Sequence, residues 1–154
     1  MAIATANGIE GLRELQGQPV GPSEWRDVTQ DMINTFADLS GDDQWIHVDV
    51  ERAKNESPFA TTIAHGNLTL SMIDGFRKGL IESTGYKLGV NYGWNKVRFP
   101  APVPVGSRIR AGVELLSAEP VTGGVQTVTR ITIEVEGGPK PACIIESVSR
   151  YLNN

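Results

Sequence analysis

The sequence of 154 residues has one cysteine, two histidines and no long apolar run. A single cysteine excludes a disulfide within the chain, and Cys143 stands between apolar residues, where a buried thiol is more common than a nucleophile. No stretch approaches the roughly 20 apolar residues that a membrane span needs, and residues 1–7 lack the regions of a signal sequence. We therefore expect a cytoplasmic protein with no membrane partner.

An excess of one charge is also missing. The formal net charge is −4, and acidic and basic residues are interspersed rather than collected in blocks. This pattern argues against a nucleic-acid-binding surface and favours a small-molecule partner. The length fits a single domain over residues 1–154, and we find no internal repeat or low-complexity linker.

Helical spacing dominates the first part of the chain. Residues 29–39 place apolar side chains one helical turn apart, with Thr29 as the predicted N-cap. Asp49 is the predicted N-cap of a short charged helix that ends before Pro58. From residue 66 to residue 81 the apolar side chains fall on more than one side, which predicts a helix that is buried nearly all round.

The last third alternates apolar and polar residues instead. Residues 108–115 and 125–135 follow this period of two, and a turn at residues 137–139 leads into residues 142–152, which together predicts antiparallel strands joined by short turns. One apolar helix followed by three or four long strands predicts an α+β hot-dog fold, a curved antiparallel sheet wrapped around a long central helix. Such a sheet leaves an exposed edge, and because a second copy of the chain is the simplest cover, we expect a homodimer.

The first histidine lies in a loop with two acidic residues. Asp42 and His47 are five positions apart, so a carboxylate and an imidazole can converge on one small volume and hold a water molecule. Such a pair suits general acid and base catalysis near neutral pH. By spacing alone, however, a turn-capping aspartate and a surface histidine are the more common arrangement.

The second histidine precedes the predicted central helix. His65 is followed by Gly66, and the first N–H groups of a helix lack partners within it, so they can bind an oxyanion. Alternatively, Gly66 only permits a tight entry into the helix. A structural role is the simpler expectation for His65, as a histidine that faces the interior with its hydrogen bonds satisfied.

Residues 36–49, which read Phe-Ala-Asp-Leu-Ser-Gly-Asp-Asp-Gln-Trp-Ile-His-Val-Asp, resemble the hydratase-2 motif of MaoC-like (R)-specific enoyl-CoA hydratases. The resemblance continues in order through residues 58–59, 62–66 and 95–107, and so extends over most of the chain. In many members an Asn-Pro pair stands where this chain has Gln44 and Trp45, and the form seen here is similar to the nodulation-associated subgroup.

The resemblance implies a reversible addition of water to a trans-2-enoyl thioester, giving the (R)-3-hydroxyacyl-CoA. Asp42 and His47 would position and activate the water, the Gly66 amide would bind the thioester oxygen, and Asp43 is not the matched position. No metal and no cofactor are implied, since coenzyme A is part of the acyl-CoA substrate. Asn67 replaces a larger apolar residue of many relatives, so it is expected either to select a short or functionalised acyl group or only to cap the helix.

Other residues have weaker assignments. Four cations are expected on adjoining strands, where they would bind the phosphates of coenzyme A or merely keep the surface soluble: Lys96, Arg98, Arg108 and Arg110. The three tryptophans, Trp25, Trp45 and Trp94, are expected in the core or in a pocket wall.

Two other functions remain open at this stage, a hot-dog acyl-CoA thioesterase and a non-catalytic acyl-thioester-binding protein, because fold alone does not separate them. A thioesterase would usually place its carboxylate within or beside the central helix, where only Asp74 is available. A protein that only binds would be expected to have lost Asp42 or His47.

Overall fold

The structure, a computed structural model, describes residues 2–153 and contains both helices and strands. In chain order they are β1 (Ala4–Asn7), α1 (Gly8–Leu15), β2 (Pro19–Val20), β3 (Arg26–Asp27), α2 (Gln30–Ser40), α3 (Trp45–Val48), α4 (Val50–Glu56), α5 (Gly66–Ser71), α6 (Ile73–Leu80), β4 (Ile81–Thr84), β5 (Leu88–Arg98), β6 (Arg108–Val121), β7 (Gly124–Val135) and β8 (Pro141–Leu152). The predicted change from helices to long strands along the chain is confirmed.

The main sheet has the strand order β2-β6-β7-β8-β5, with β3 also beside β6, and its neighbouring strands are antiparallel. The strands β6, β7 and β8 form two hairpins, in which Ile109 pairs with Val135 and Ile133 pairs with Cys143. A separate parallel pair joins β1 to β4. The strand β5 ends the path of the main sheet, so one of its edges has no partner strand among residues 2–153.

The helices α5 and α6 lie against the sheet and share one apolar core with it. The core contributions from the two helices and from β6, β7 and β8 include Leu68, Met72, Ile73, Phe76, Leu80, Ile109, Ile131, Ile133 and Ile145. Because inward-facing residues alternate along each strand, β6 and β7 bury every second side chain under the helices. This is the predicted hot-dog arrangement, and the prediction of the α+β fold class is confirmed.

The central helix differs from the prediction in two ways. It is interrupted at Met72, whose N–H bonds to the Thr69 carbonyl oxygen at 3.2 Å. The Ser71 hydroxyl donates to the Leu68 carbonyl oxygen at 2.7 Å. In a regular α-helix this carbonyl would accept from the Met72 N–H. The helix is also not buried all round, since one side, which includes Asn67, is exposed in the single chain.

Three local predictions are confirmed, namely two N-caps and a buried cysteine. The Thr29 hydroxyl accepts from the Met32 N–H at 3.2 Å, and the Asp49 carboxylate accepts from the Arg52 N–H at 3.0 Å, so both are N-caps. Cys143 is fully buried, and this burial raises the pKa of its thiol to about 11, which makes the residue a poor nucleophile. Among residues 2–153, no helix is long and apolar enough to cross a membrane.

Candidate active site

Asp42 follows the end of α2 and is separated from it by Gly41, whose backbone has a left-handed conformation. Gly41 has φ 80° and its N–H bonds to the Ala37 carbonyl, which ends the helix where only glycine fits without strain. The Ser40 hydroxyl then accepts from the Asp42 N–H at 3.2 Å. The turn leaves Asp42 exposed.

His47 lies on the short helix α3, not in a loop, and is 6% exposed. Its Nδ1 is 2.7 Å from the Ile63 carbonyl oxygen, and because a carbonyl only accepts, Nδ1 carries the hydrogen. The neutral ring therefore presents Nε2 as an acceptor, which is the form that a general base needs. Burial lowers the pKa of His47 below its usual 6.5, an effect opposed by the Ile63 hydrogen bond and by Asp42 and assisted by His65.

Asp42, His47 and His65 form one cluster, in which one side-chain oxygen or nitrogen of each lies within 4.8 Å of the others. The two imidazoles stack with 3.9 Å between centroids and 23° between planes. A metal ion lies in the plane of each imidazole that binds it, so nearly parallel stacked rings are poorly arranged to share one ion. The geometry favours proton transfer over metal binding.

A cavity of about 310 Å³ opens beside this cluster. His47 and Gly66 line it together with mainly apolar residues, which are Phe59, Ile63, Ala64, Thr69, Phe99, Pro100, Ala101, Pro102, Val103 and Ala142. An apolar cavity with a few convergent polar groups is typical of a small-molecule site.

Gly66 begins α5, so its N–H has no partner within the helix, and no bond from it to another part of residues 2–153 is present. The ring of Phe99 lies over this glycine, 3.1 Å from where a Cβ would stand. Because α5 has only six residues, an oxyanion here would depend on the N–H itself rather than on the dipole of a long helix.

Asn67 is exposed and does not line this cavity. It is the second residue of α5, which has no side-chain cap, so the interpretation that Asn67 caps the helix is wrong. Selection of the acyl group by Asn67 stays a prediction, and in the single chain the residue lies outside the cavity.

The predicted cluster of four cations is wrong. Lys96 and Arg98 lie on β5, whereas the other two arginines lie on β6, and β7 and β8 separate these strands. Arg108 pairs with Glu136, and Arg110 pairs with Glu134 on the neighbouring strand. Lys96 and Arg98 are exposed and form no ion pair with a carboxylate of residues 2–153.

The expectation for the tryptophans is also wrong, because none of the three is buried and none lines the cavity. The Arg110 guanidinium lies 4.3 Å from the Trp25 ring centroid and that of Arg52 lies 4.2 Å from the centroid of Trp45. Trp94 lies on the unpaired strand β5 and is 37% exposed. For a strand at the edge of the sheet, the alternation of apolar and polar residues does not show which face is covered by the rest of the protein.

Sequence reasoning gave no role to Phe59 and Phe99, two aromatic residues that wall the cavity. Both were inside the recognised segments, and Phe99 precedes a run of alternating prolines that follows β5. The prolines restrict the backbone of this segment and of the residue before it, Phe99. That restriction could have indicated a fixed position for Phe99.

The hot-dog fold and this pairing of a carboxylate and an imidazole beside a glycine-started helix define the class of domain. The model of the family described as "MaoC like domain" matches residues 13–136, and the chain belongs to this family. It is 50% identical over 151 residues to the 3-hydroxyacyl-thioester dehydratase Z of Mycobacterium tuberculosis, covering 97% of this chain and 99% of that protein.

Two further relatives support the subgroup and the fold. Nodulation protein N of Rhizobium leguminosarum bv. viciae is 45% identical over 129 residues, which are 82% of this chain and 80% of the relative. The unliganded R-hydratase PhaJ1 of Pseudomonas aeruginosa matches with a TM-score of 0.73 and 22% identity, over 93% of this chain and 86% of that one. The predicted likeness to a nodulation-associated MaoC-like subgroup is confirmed.

Proposed function

We propose that this single domain of residues 1–154 is an (R)-specific hydratase and dehydratase, which interconverts trans-2-enoyl-CoA and (R)-3-hydroxyacyl-CoA. The observation that carries the proposal is the approach of the Asp42 carboxylate to the His47 imidazole, at the wall of an apolar cavity that also contains Gly66. The 50% identity to a 3-hydroxyacyl-thioester dehydratase over nearly the whole chain supports it.

In the proposed reaction Asp42 and His47 hold the water between them. The hydrogen bond from Nδ1 to Ile63 keeps Nε2 of His47 free of hydrogen, so the ring can accept a proton as the water oxygen bonds to C3 of the enoyl thioester. Charge then develops on the thioester oxygen as an enolate. The pair then delivers a proton to C2, which completes the addition and returns the pair to its starting protonation state. Dehydration is the reverse sequence.

The Gly66 N–H is the proposed donor to that oxygen. It has no partner among residues 2–153, so it is available to donate to an oxygen in which charge develops. The proposed acid and base pair contributes about 10²–10⁴-fold, and the addition of water changes no oxidation state overall, so the reaction requires no redox cofactor.

The proposed coenzyme A contacts are Lys96 and Arg98. Both are exposed cations on β5, and Arg98 directly precedes Phe99, a residue of the cavity wall. Phosphates favour such unpaired cations. The Lys96→Ala/Arg98→Ala double variant is expected to raise KM for an acyl-CoA while it leaves KM for the matching acyl-pantetheine thioester unchanged.

We also propose a homodimer in which a second copy covers residues 88–94 of β5. The apolar side chains Leu88, Val90, Tyr92 and Trp94 are exposed on this strand, and Tyr92 is 60% exposed. An unpaired edge with a row of apolar side chains is a ready surface for strand pairing. Analytical ultracentrifugation should give about twice the 16.7 kDa mass of the chain, and Val90→Lys should shift the equilibrium to the monomer.

The main test mixes the purified protein with crotonyl-CoA. Absorbance of the enoyl thioester should fall without release of a free thiol, and chiral analysis should find the (R)-3-hydroxy product. The (S)-3-hydroxyacyl-CoA is the matched control and should not be dehydrated. Release of coenzyme A would instead identify a thioesterase, and tight binding without turnover would identify a protein that only binds acyl thioesters.

A further inference from the structure

His65 differs from the satisfied interior histidine expected from the sequence. It is 2% exposed, and its Nε2–H donates to the backbone carbonyl oxygen of Asp42 at 2.8 Å. Its Nδ1 is the one buried side-chain nitrogen or oxygen of residues 2–153 that has no hydrogen-bond partner. Leaving a buried acceptor unpaired costs free energy, so the packing of the core alone does not account for a histidine here.

The two contacts of His65 reach both members of the proposed acid and base pair. The Nε2 hydrogen bond fixes the loop residue that carries the Asp42 carboxylate, while the flat face of the ring stacks on His47. Two contacts therefore hold the His47 ring, the stacking on His65 and the hydrogen bond from Nδ1 to the Ile63 carbonyl. His65 does not line the cavity, so it does not contact a substrate placed there.

We propose that His65 is a positioning residue, which sets the distance between the Asp42 carboxylate and the His47 imidazole through its bond to the Asp42 carbonyl. The proposal rests on the hydratase function proposed above. The other bonds of the exposed residues 41–44 are local. Besides those from Asp42 to Ser40 and from Gln44 to Asp42, the Gly41 N–H donates to Ala37 and the Gln44 carbonyl accepts from the His47 N–H. The bond from His65 is therefore the long-range bond that ties the exposed Asp42 turn to the start of the central helix.

Two variants separate the hydrogen bond from the stacking. His65→Gln keeps an N–H donor that can reach the Asp42 carbonyl, and His65→Phe keeps an aromatic ring against His47 but has no donor. For His65→Phe we expect kcat to fall about 10–100-fold with KM within about twofold, because a misplaced catalytic group slows the reaction without weakening binding. His65→Gln should keep kcat within about threefold of the wild type.

Phe36→Leu is the matched packing control. The Phe36 ring packs against the His65 ring with 4.9 Å between centroids, and its truncation to leucine removes no side-chain hydrogen bond. This variant should lower the thermal midpoint and leave kcat unchanged. If His65→Phe keeps the wild-type kcat, or if His65→Gln loses as much kcat as His65→Phe, the positioning role is wrong.

A structural readout separates this inference from the proposed function. The backbone amide resonances of residues 41–44 should change in His65→Phe and stay close to the wild type in His65→Gln. Wild-type protein that hydrates no enoyl thioester overturns the proposed function, and the amide resonances still decide whether His65 fixes the loop. Unchanged loop resonances in His65→Phe overturn the inference even in a fully active wild type.

Discussion

The polar groups at the start of the central helix differ in their hydrogen bonding from those along its second half. At the start of α5, the Gly66 N–H and the His65 Nδ1 have no partner among residues 2–153. Along α6, Asp74 bonds to Arg77 at 2.7 Å and to Asn91 at 3.0 Å, and Arg77 also donates to the Ser149 hydroxyl.

This difference separates groups whose hydrogen bonds hold the fold from groups that have no such bond. Both oxygens of Asp74 are engaged, and the residue connects α6 to β5, so it is not free to act on a substrate. The Gly66 N–H keeps unused hydrogen-bonding capacity at the wall of an apolar cavity. The helix therefore offers chemistry at its start and cross-linking to the sheet along its second half.

The strongest way to break this comparison is to change the acid and base pair. Asp42→Asn and His47→Gln should each lower kcat for hydration about 10²–10⁴-fold, because each removes one partner in proton transfer. The assay is the loss of enoyl-thioester absorbance, with circular dichroism to show that the fold is kept. Asp43→Asn is the matched control and should keep its activity. If Asp43→Asn loses as much activity as Asp42→Asn, the assignment of the catalytic carboxylate to Asp42 is wrong.

A smaller loss is expected at the oxyanion donor. Gly66→Ala places a Cβ 3.1 Å from the Phe99 ring, so the ring and the start of α5 must move apart by a few tenths of an ångström, and kcat should fall about 10–100-fold. Gly79→Ala, on the same helix pair, meets no atom within 4 Å and should leave kcat unchanged. Adding Phe99→Leu to Gly66→Ala should restore part of the activity, and no restoration would show that the ring does not limit the space.

The pH profile sharpens the same comparison. In the proposed reaction His47 acts in its neutral form, and because burial lowers its pKa, the neutral form persists below pH 6.5. The acidic limb of kcat/KM should therefore have its midpoint below pH 6.5, with activity falling as pH drops through the pKa of His47. A midpoint above pH 6.5 would mean that the ring is not desolvated in the free enzyme.

The smallest effect on activity is expected at Asp74. Asp74→Ala removes an ion pair and a hydrogen bond, so the free energy of unfolding in urea should fall by about 1–3 kcal/mol. The value of kcat should stay within about twofold of the wild type. Thioester hydrolysis in the wild type that disappears in Asp74→Ala would reverse the roles assigned to the two ends of the helix.

The sequence predicted those features that depend on neighbours along the chain. Period-two alternation located β6, β7 and β8, and Thr29 and Asp49 were recognised as caps because each bonds to an N–H three residues later. The break at Met72 was missed because it depends on a serine hydroxyl that competes for one carbonyl.

Features that depend on distant strands were predicted less well. Arg108 and Arg110 were grouped with Lys96 and Arg98. In the structure Arg108 pairs with Glu136, one residue beyond the end of β7, and Arg110 pairs with Glu134 on β7. Pairing order in a sheet is a long-range property that spacing does not contain. The motif containing Asp42 and His47 was recognised, but the stacking of His65 on His47 arises only when two separate segments meet.

The stack also gives the protein a built-in reporter. The chain has two histidines, and their rings lie 3.9 Å apart, so each imidazole proton is shifted by the ring current of the other. The downfield imidazole region of a proton spectrum should then contain signals from this one cluster. Movement of either ring when a thioester enters the cavity would be visible there without isotopic labelling.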